Sequence, residues 1–224
     1  MADVVIHGTG KLGQMVYHLL AAADEHRVVG FTADPLYCTS PELLGLPLVP
    51  FPDVTDRFPP AAHAMLTTLG GLGGSRARRV IFERARDRGY RHLNYVHPSA
   101  VVQGEITWGE NNIVFPFCTI GFDGVMGDNT VIREKVYLGH DFVLGDHVFI
   151  GVGATIGGSA RIGSGSYIAM GATLTNDLTL GEDTFVGIGS LLLRYTEPGS
   201  KYYGHPARKV EPRPEGSPGG RRAD

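Results

Sequence analysis

Residues 138–163 read LGHDFVLGDHVFIGVGATIGGSARIG, and an apolar residue returns at every sixth position of this stretch. The same period runs from Val96 to Leu192, where all seventeen positions of the series are apolar. A period of six fits neither an α-helix nor a simple alternating strand, but it fits a solenoid of short strands joined by turns. Three such strands make a triangular coil of about 18 residues. The sequence therefore predicts a parallel β-helix over residues 96–210.

The overall composition excludes several classes of protein. Glycine makes up 32 of the 224 residues, yet 42% of the chain is hydrophobic, which is unlike a disordered chain. No apolar run approaches the ~20 residues of a membrane span, and no secretory signal is visible. Two cysteines, Cys38 and Cys118, cannot form a disulfide framework, and we expect a cytoplasmic protein. The net charge of −3 argues against nucleic-acid binding.

The first 95 residues have a different pattern, in which apolar runs typical of strands alternate with helical stripes. This alternation predicts a small Rossmann-like parallel α/β domain over residues 1–95. A proline-bearing stretch over residues 35–52 is expected to be a mobile segment. The tail, residues 211–224, is rich in proline, glycine and charge and is predicted to be disordered.

A glycine-rich motif follows the first strand, with Gly8, Gly10 and Gly13 in the spacing of a nucleotide fingerprint. Helix amides at such a turn can hold phosphate, and Lys11 can neutralise it. Asp34, near the end of the second strand, is placed to hold a ribose. A domain this short suits a mononucleotide group better than a dinucleotide. The alternative is that the glycines only allow helix and strand to pack.

His140 and Asp141 are the main candidates for chemistry. Leu138 and Leu144 fill the inward positions, so His140 is predicted at a corner of the coil. A neighbouring carboxylate orients an imidazole and stabilises its protonated form. Gly158, one coil later, stacks beside His140 and is expected to leave room for a ligand and to present its amide. The alternative is a surface histidine without a role.

Two further groups have open readings. His147 with the His140–Asp141 pair lacks the tight spacing of metal ligands, and no metal site is predicted. Aromatic residues and cations over residues 201–209 follow the last coil. These side chains either meet the adenine and phosphates of a ligand or cover the open end of the β-helix.

Taken together, these motifs resemble the nucleotide-sugar N-acetyltransferases, a hexapeptide-repeat family with a left-handed β-helix that is related to the sialic acid O-acetyltransferases. The resemblance rests on the Gly-x-Gly-x-x-Gly domain, a His-Pro-Ser-Ala start at residues 97–100, the Gly-His-Asp corner and a Gly-x-Pro-Ala-Arg tail at residues 204–208. It covers nearly all of residues 3–210. The left hand of the β-helix is implied by this resemblance and not by the period.

The resemblance also implies functional residues. His140 matches the catalytic base and Asp141 its acidic partner. Backbone groups near Gly158, Met170 and Ile188 match positions that line a groove for acetyl-CoA, and Arg208 lies in the matching tail. On the nucleotide side the matches are Gly8, Gly10, Lys11 and Asp34. The family implies a homotrimer with active sites between neighbouring β-helices.

Two positions depart from the family pattern. Arg133 stands where relatives often carry asparagine near the sugar, and Phe149 stands where many carry a second histidine. Both departures concern the acceptor more than the chemistry, and Arg133 is a candidate to read the acceptor.

These observations predict an acetyl-CoA-dependent transferase that N-acetylates an amino group of a nucleotide-linked sugar, with His140 as general base. One alternative is an O- or N-acyltransferase whose small acceptor carries no nucleotide. From a different class, a β-helix scaffold without catalytic activity could use the first domain as a nucleotide sensor. A hexapeptide metalloenzyme is a third alternative. The sequence does not specify the sugar, the base or the acyl chain.

Overall fold

A computed structural model describes residues 1–23, 25–70 and 74–210 of the protein. The tail that the sequence predicts to be disordered lies outside these residues. Within them, no helix combines the length and the apolar character needed to cross a membrane.

The N-terminal part is a five-stranded sheet flanked by helices. Its strands are β1 (Asp3–His7), β2 (Arg27–Ala33), β3 (Glu42–Leu43), β4 (Leu46–Pro50) and β5 (Ala64–Thr67), and its helices are α1 (Lys11–Ala23), α2 (Val54–Arg57) and α3 (Gly74–Asp87). The strand order is β3-β4-β2-β1-β5, and only the β3–β4 pair is antiparallel. The predicted parallel α/β domain is confirmed. The proline-bearing stretch differs from expectation, because it supplies β3 and β4.

The remaining strands form three faces of a triangular prism. The first face contains β6 (Tyr95–Val96), β9 (Ile113–Val114), β12 (Val131–Ile132), β15 (Phe149–Ile150), β18 (Tyr167–Ile168) and β21 (Phe185–Val186). The second face contains β7 (Val101–Val102), β10 (Thr119–Ile120), β13 (Tyr137–Leu138), β16 (Thr155–Ile156), β19 (Thr173–Leu174) and β22 (Leu191–Leu192). The third face contains β8 (Ile106–Trp108), β11 (Gly124–Met126), β14 (Val143–Leu144), β17 (Arg161–Ile162) and β20 (Thr179–Leu180).

The register of these faces follows the repeat of the sequence. Leu138 pairs with Ile120 on one side and Ile156 on the other, an offset of one coil in each direction, and all of these pairs are parallel. The sixth-position residues point inward and form one continuous core in which Leu138, Ile156 and Ile168 are fully buried. Burial of this apolar row stabilises the fold by roughly 25 cal/mol per Å² of apolar surface, and this gain accounts for the period of six in the sequence.

A hairpin closes the C-terminal end of the prism. Strands β23 (Lys201–Gly204) and β24 (Ala207–Val210) pair with each other, and β23 extends the first face beyond β21. Tyr202 and Ala207 pack against the end of the core. The reading in which the tail covers the open coil is therefore confirmed, and the hairpin still leaves Arg208 exposed.

The N-terminal domain packs on the outer side of the first face. Outward residues Tyr95, Val131 and Phe149 share a buried cluster with residues of β1 and α1. The guanidinium of Arg78, on α3, is buried and donates to the backbone carbonyls of Asn129, His147 and Val148. These contacts join the two domains over the corner between the third and first faces.

Candidate active site and nucleotide cleft

The backbone around His140 is fixed by its neighbouring coils. His140 lies in the turn between β13 and β14, at the corner between the second and third faces, which we call the His140 corner (residues 121–124, 139–142, 157–160 and 175–178). The N–H of Asp141 donates to the carbonyl of Phe122 at 2.9 Å, and the N–H of Ser159 donates to the carbonyl of His140 at 2.7 Å. The side chain of His140 therefore leaves a rigid turn.

The imidazole of His140 is oriented from two sides. Its Nδ1 lies 2.6 Å from Oδ2 of Asp141, and the ring of Phe122 stacks on it with 5.4 Å between centroids. About half of each side chain of the His140–Asp141 pair is exposed. A carboxylate at Nδ1 favours the tautomer with its proton there, which leaves the lone pair of Nε2 to accept a proton. The structure thus brings the two predicted catalytic residues together.

The missing side chain of Gly158 makes room for a different group from the ligand that the sequence suggested. A Cβ atom at Gly158 would lie only 2.7 Å from Nε2 of His140, so the missing side chain makes room for the imidazole itself. The N–H of Gly158 donates to Oδ1 of Asn176 at 3.0 Å. In the structure Asn176 occupies this amide, so a ligand that binds it must displace that side chain.

Three of the four predicted nucleotide residues line a cleft of about 730 Å³ in the N-terminal domain, and the fourth, Lys11, does not. Gly8, Gly10 and Asp34 lie on one side, and α3 contributes Arg76 and Arg84 from the other. The three glycines have distinct roles. A side chain at Gly8 or Gly13 would collide with Thr68 or the Gly8 carbonyl, whereas a Cβ at Gly10 would meet open space. Gly8 and Gly13 thus serve packing, and Gly10 leaves the loop open to a ligand.

Three titratable residues of this cleft are paired or buried. Asp34 forms an ion pair with Arg84 at 2.8 Å, and the Arg84 guanidinium lies over the ring of Phe51. His7 stacks on the same ring at 4.6 Å. Burial, with a smaller contribution from Arg84, lowers the pKa of His7 to about 3, so the ring is neutral at pH 7.

A second, smaller cleft of about 300 Å³ adjoins the first at Gly10 and Gly70. Lys11 and Met15 line it from α1, and Arg133 and Phe149 line it from the β-helix. Arg133 donates to both carboxylate oxygens of Glu134, at 2.9 and 3.1 Å, and lies over the ring of Phe115. The charge of Arg133 is therefore balanced within the chain, and its guanidinium is held in place beside the cleft.

The residues matched to acetyl-CoA binding are divided between two corners and the hairpin. Met170 and Ile188 are exposed, one coil apart, at the corner between the first and second faces. Gly158 is at the His140 corner, and Arg208 is on β24 opposite Tyr203. One chain therefore does not bring these four residues into a single groove.

The predicted nucleotide site and the predicted catalytic pair also lie in different parts of the chain's structure. The smaller cleft opens where the N-terminal domain meets the first face, to which, or to whose edge, Arg133 and Phe149 belong, and the larger cleft lies within the N-terminal domain. His140 projects from the corner between the other two faces, which is the edge of the prism opposite the first face. Within one chain, the nucleotide cleft and the His140–Asp141 pair are separate.

Sequence reasoning missed two residues of these sites. Asn176 was detectable, because it lies one coil after Gly158 and so stacks directly upon it. Arg84 had no comparable signal, since its pairing with Asp34 is set by the packing of α3 on the sheet. Among residues 1–23, 25–70 and 74–210, no group of three or more histidine, cysteine or acidic side chains is arranged to hold a metal ion.

The family comparison identifies the repeat. The model of the bacterial transferase hexapeptide family (six repeats) matches residues 123–158 and 141–176. Residues 123–176 carry the hexapeptide repeat of this family, and the fold is an α/β domain followed by a left-handed β-helix, as predicted. A search of curated proteins found no sequence match.

Solved structures extend the likeness to almost the whole chain. A variant of perosamine N-acetyltransferase from Caulobacter crescentus, in complex with CoA and GDP-perosamine, is 25% identical with a TM-score of 0.85, and covers 95% of this chain and 98% of its own. The acetyltransferase domain of PglB from Neisseria gonorrhoeae is 24% identical with a TM-score of 0.84, covering 94% of this chain and all of its own. The second likeness concerns the fold alone. The predicted resemblance to nucleotide-sugar acetyltransferases is confirmed.

Proposed function

We propose that the protein transfers the acetyl group of acetyl-CoA to an amino group of a nucleotide-linked sugar. The observation that carries this proposal is the His140–Asp141 pair, with 2.6 Å between Nδ1 and Oδ2 and the other ring nitrogen available as a base. Complexes of the relatives with CoA and GDP-perosamine, and with acetyl-CoA, support the same class of enzyme and the same donor.

The reaction needs one proton acceptor close to the acyl carbon. As the sugar amine attacks the thioester carbonyl, a C–N bond forms and Nε2 of His140 takes the amine proton. The C–S bond then breaks, and the CoA thiolate leaves and receives that proton from the imidazolium. Asp141 stabilises the imidazolium between these steps, because its carboxylate accepts the Nδ1–H bond.

The nucleotide belongs in the 730 Å³ cleft, over the open loop at Gly10. Lys11 neutralises its phosphate charge from the adjoining smaller cleft, and Asp34, held by Arg84, receives the ribose. The sugar extends into the adjoining 300 Å³ cleft, where Arg133 contributes to its recognition. An acceptor without a nucleotide, the alternative reading, gives no use to the larger cleft.

A homotrimer supplies what the single chain lacks. The N-terminal domain covers the first face, whereas the other two faces carry exposed apolar residues, among them Val101, Val125 and Tyr137. Packing three copies around an axis brings the His140 corner of one subunit toward the clefts and the Met170–Ile188 corner of a neighbour. Residues 96–192 carry three basic and ten acidic groups, so cations of the hairpin, such as Arg208, help to bind the polyanionic donor.

The cytoplasmic location stays a prediction, supported by two unpaired cysteines. The trimer is tested by light scattering, and a fully active monomer would overturn it.

The function is tested by mass spectrometry of the products after incubation with acetyl-CoA and a panel of nucleotide-linked amino sugars. Titration calorimetry of the Gly10→Val and Asp34→Ala variants tests whether the nucleotide sugar binds in the larger cleft. We expect both variants to weaken the nucleotide sugar and to leave acetyl-CoA binding unchanged. Equal weakening of both ligands would contradict the division of sites, and binding of nucleotide without any transfer would favour the sensor.

A further inference from the structure

At one corner of the prism, successive backbone amides are paired with side chains from the next coil. At the corner between the third and first faces, the N–H of Glu110 donates to Asp128 at 2.8 Å, that of Asp128 to Asp146 at 2.8 Å, and that of Asp146 to Ser164 at 3.1 Å. Each acceptor lies one coil after its donor. An exposed corner amide is thus paired with a side chain of the protein over successive coils.

The His140 corner breaks this series. The corresponding positions hold Phe122, His140, Gly158 and Asn176, and the N–H of His140 has no hydrogen-bond partner among the described residues. Gly158 offers no side chain to accept it. The series resumes one coil later, where the N–H of Gly158 donates to Oδ1 of Asn176 at 3.0 Å.

The Gly158 amide is the backbone donor that lies beside the proposed base. The space in which a Cβ of Gly158 would lie is 2.7 Å from Nε2 of His140. An acyl oxygen bound to this amide would therefore lie at the same corner as the proposed base. Negative charge develops on that oxygen during transfer, and a preorganised N–H is the group that stabilises it.

We propose that the side-chain oxygen of Asn176 occupies, in the free protein, the position of the donor's acyl oxygen, and that acetyl-CoA displaces it. This inference rests on the proposed function. Both groups are carbonyl oxygens that accept one neutral N–H bond, so the exchange conserves the number of hydrogen bonds. Asn176 is exposed at the edge of the prism, and its side chain can turn toward water when it is displaced.

Displacement of Asn176 affects the binding of acetyl-CoA and not the rate of acetyl transfer. The oxygen of Asn176 competes equally with the bound acyl group and with its transition state. Its removal therefore changes KM for acetyl-CoA and leaves kcat unchanged. One neutral hydrogen bond corresponds to roughly a two- to tenfold change in Kd.

The test compares Asn176→Ala and Asn176→Asp with Ser164→Ala as matched control. The control removes the equivalent corner bond to Asp146 at a distant corner. Calorimetry with acetyl-CoA and steady-state kinetics are run on all of them, and Kd and KM are compared with wild type. We expect Asn176→Ala to lower both roughly two- to tenfold at constant kcat, while Ser164→Ala changes neither. Asn176→Asp should raise both, because a carboxylate accepts the amide bond more strongly and repels the donor.

An Asn176→Ala enzyme with unchanged or weaker acetyl-CoA binding would overturn the proposal, and so would a fall in kcat. The aspartate variant keeps the shape of the side chain and reports independently if the alanine variant folds poorly. Wild-type protein that binds no acetyl-CoA at all would instead contradict the proposed function, so the two failures are distinguishable.

Discussion

Two corners of the same prism use the repeat of the coil for opposite purposes. At the corner between the third and first faces, Asn111, Asn129 and His147 stack in successive coils, are buried, and bond to the N-terminal domain or to one another. At the His140 corner most of the stack is exposed, and it contains a glycine. The first stack holds the domains together, and the second exposes an imidazole beside a backbone amide that is paired with Asn176. The turns of one β-helix therefore become a joint or a site according to the side chains that they carry.

His140 and His147, seven residues apart, give the sharpest test of this contrast. We expect His140→Ala to lower kcat by about 10²- to 10⁴-fold with near-normal acetyl-CoA binding, because it removes the general base. His147→Ala should retain kcat and lose stability, since His147 is buried and bonded to Asn129. Steady-state kinetics and thermal unfolding of both variants check this. Retention of more than half of the wild-type kcat by the His140 variant would remove that residue from the mechanism.

Arg78, on the N-terminal domain, tests how strongly the polar contacts hold the two domains together. Arg78→Met keeps the apolar stem but leaves the buried carbonyl oxygens of Asn129 and His147 without a donor among the described residues, whereas that of Val148 still accepts the N–H of Val131. Each orphaned buried group costs roughly 1–3 kcal/mol, so we expect the free energy of unfolding to fall by about 3 kcal/mol. Urea denaturation measures it, with the exposed Arg57→Met as control. A midpoint equal to that of the control would show that the domains are joined by apolar packing alone.

The register, the inward residues and the position of His140 were predictable, because each follows from a period that burial imposes on every coil. The joint was not. Arg78 donates to backbone carbonyls, which every residue has, so no feature of the sequence distinguishes it from Arg76 or Arg79. The pairing of Asp34 with Arg84 was hidden for a similar reason, since it depends on how α3 lies on the sheet.

The buried histidines make the stability of the protein depend on pH. Burial lowers the pKa of His7 to about 3 and that of His92 to about 4, and also lowers the pKa of His147. These rings stay neutral in the folded protein, whereas the unfolded chain takes up protons near pH 6.5. Stability is therefore complete above about pH 6.5 and is lost as the pH falls toward the folded values.

At pH 5.5 the expected loss is about 1.4 kcal/mol for each of His7 and His92 relative to pH 7.5. Urea denaturation at the two pH values measures it, and His7→Phe should remove its own share. Equal midpoints at both pH values would contradict the assignment of these rings as neutral.

Gly158→Ala is expected to have the smallest effect. The new methyl group needs the space that the imidazole occupies, so the ring must turn away from its place over the amide. We expect kcat to fall about tenfold, with no further loss when the change is added to His140→Ala. A full additional loss in the double variant would show that Gly158 acts independently of the imidazole.

The pairing of coils at a fixed offset also sets lengths along the protein in fixed increments. Neighbouring strands in a sheet are ~4.8 Å apart, so the axial span from His140 to the hairpin at Tyr203 and Arg208 is three to four such steps, roughly 17 Å. Inserting or deleting one residue would shift every later side chain off its stack, whereas a whole coil changes the span by one step. The reach of a donor that spans from the base to the tail is therefore measured in coils, and evolution can lengthen or shorten it only by whole turns of the prism.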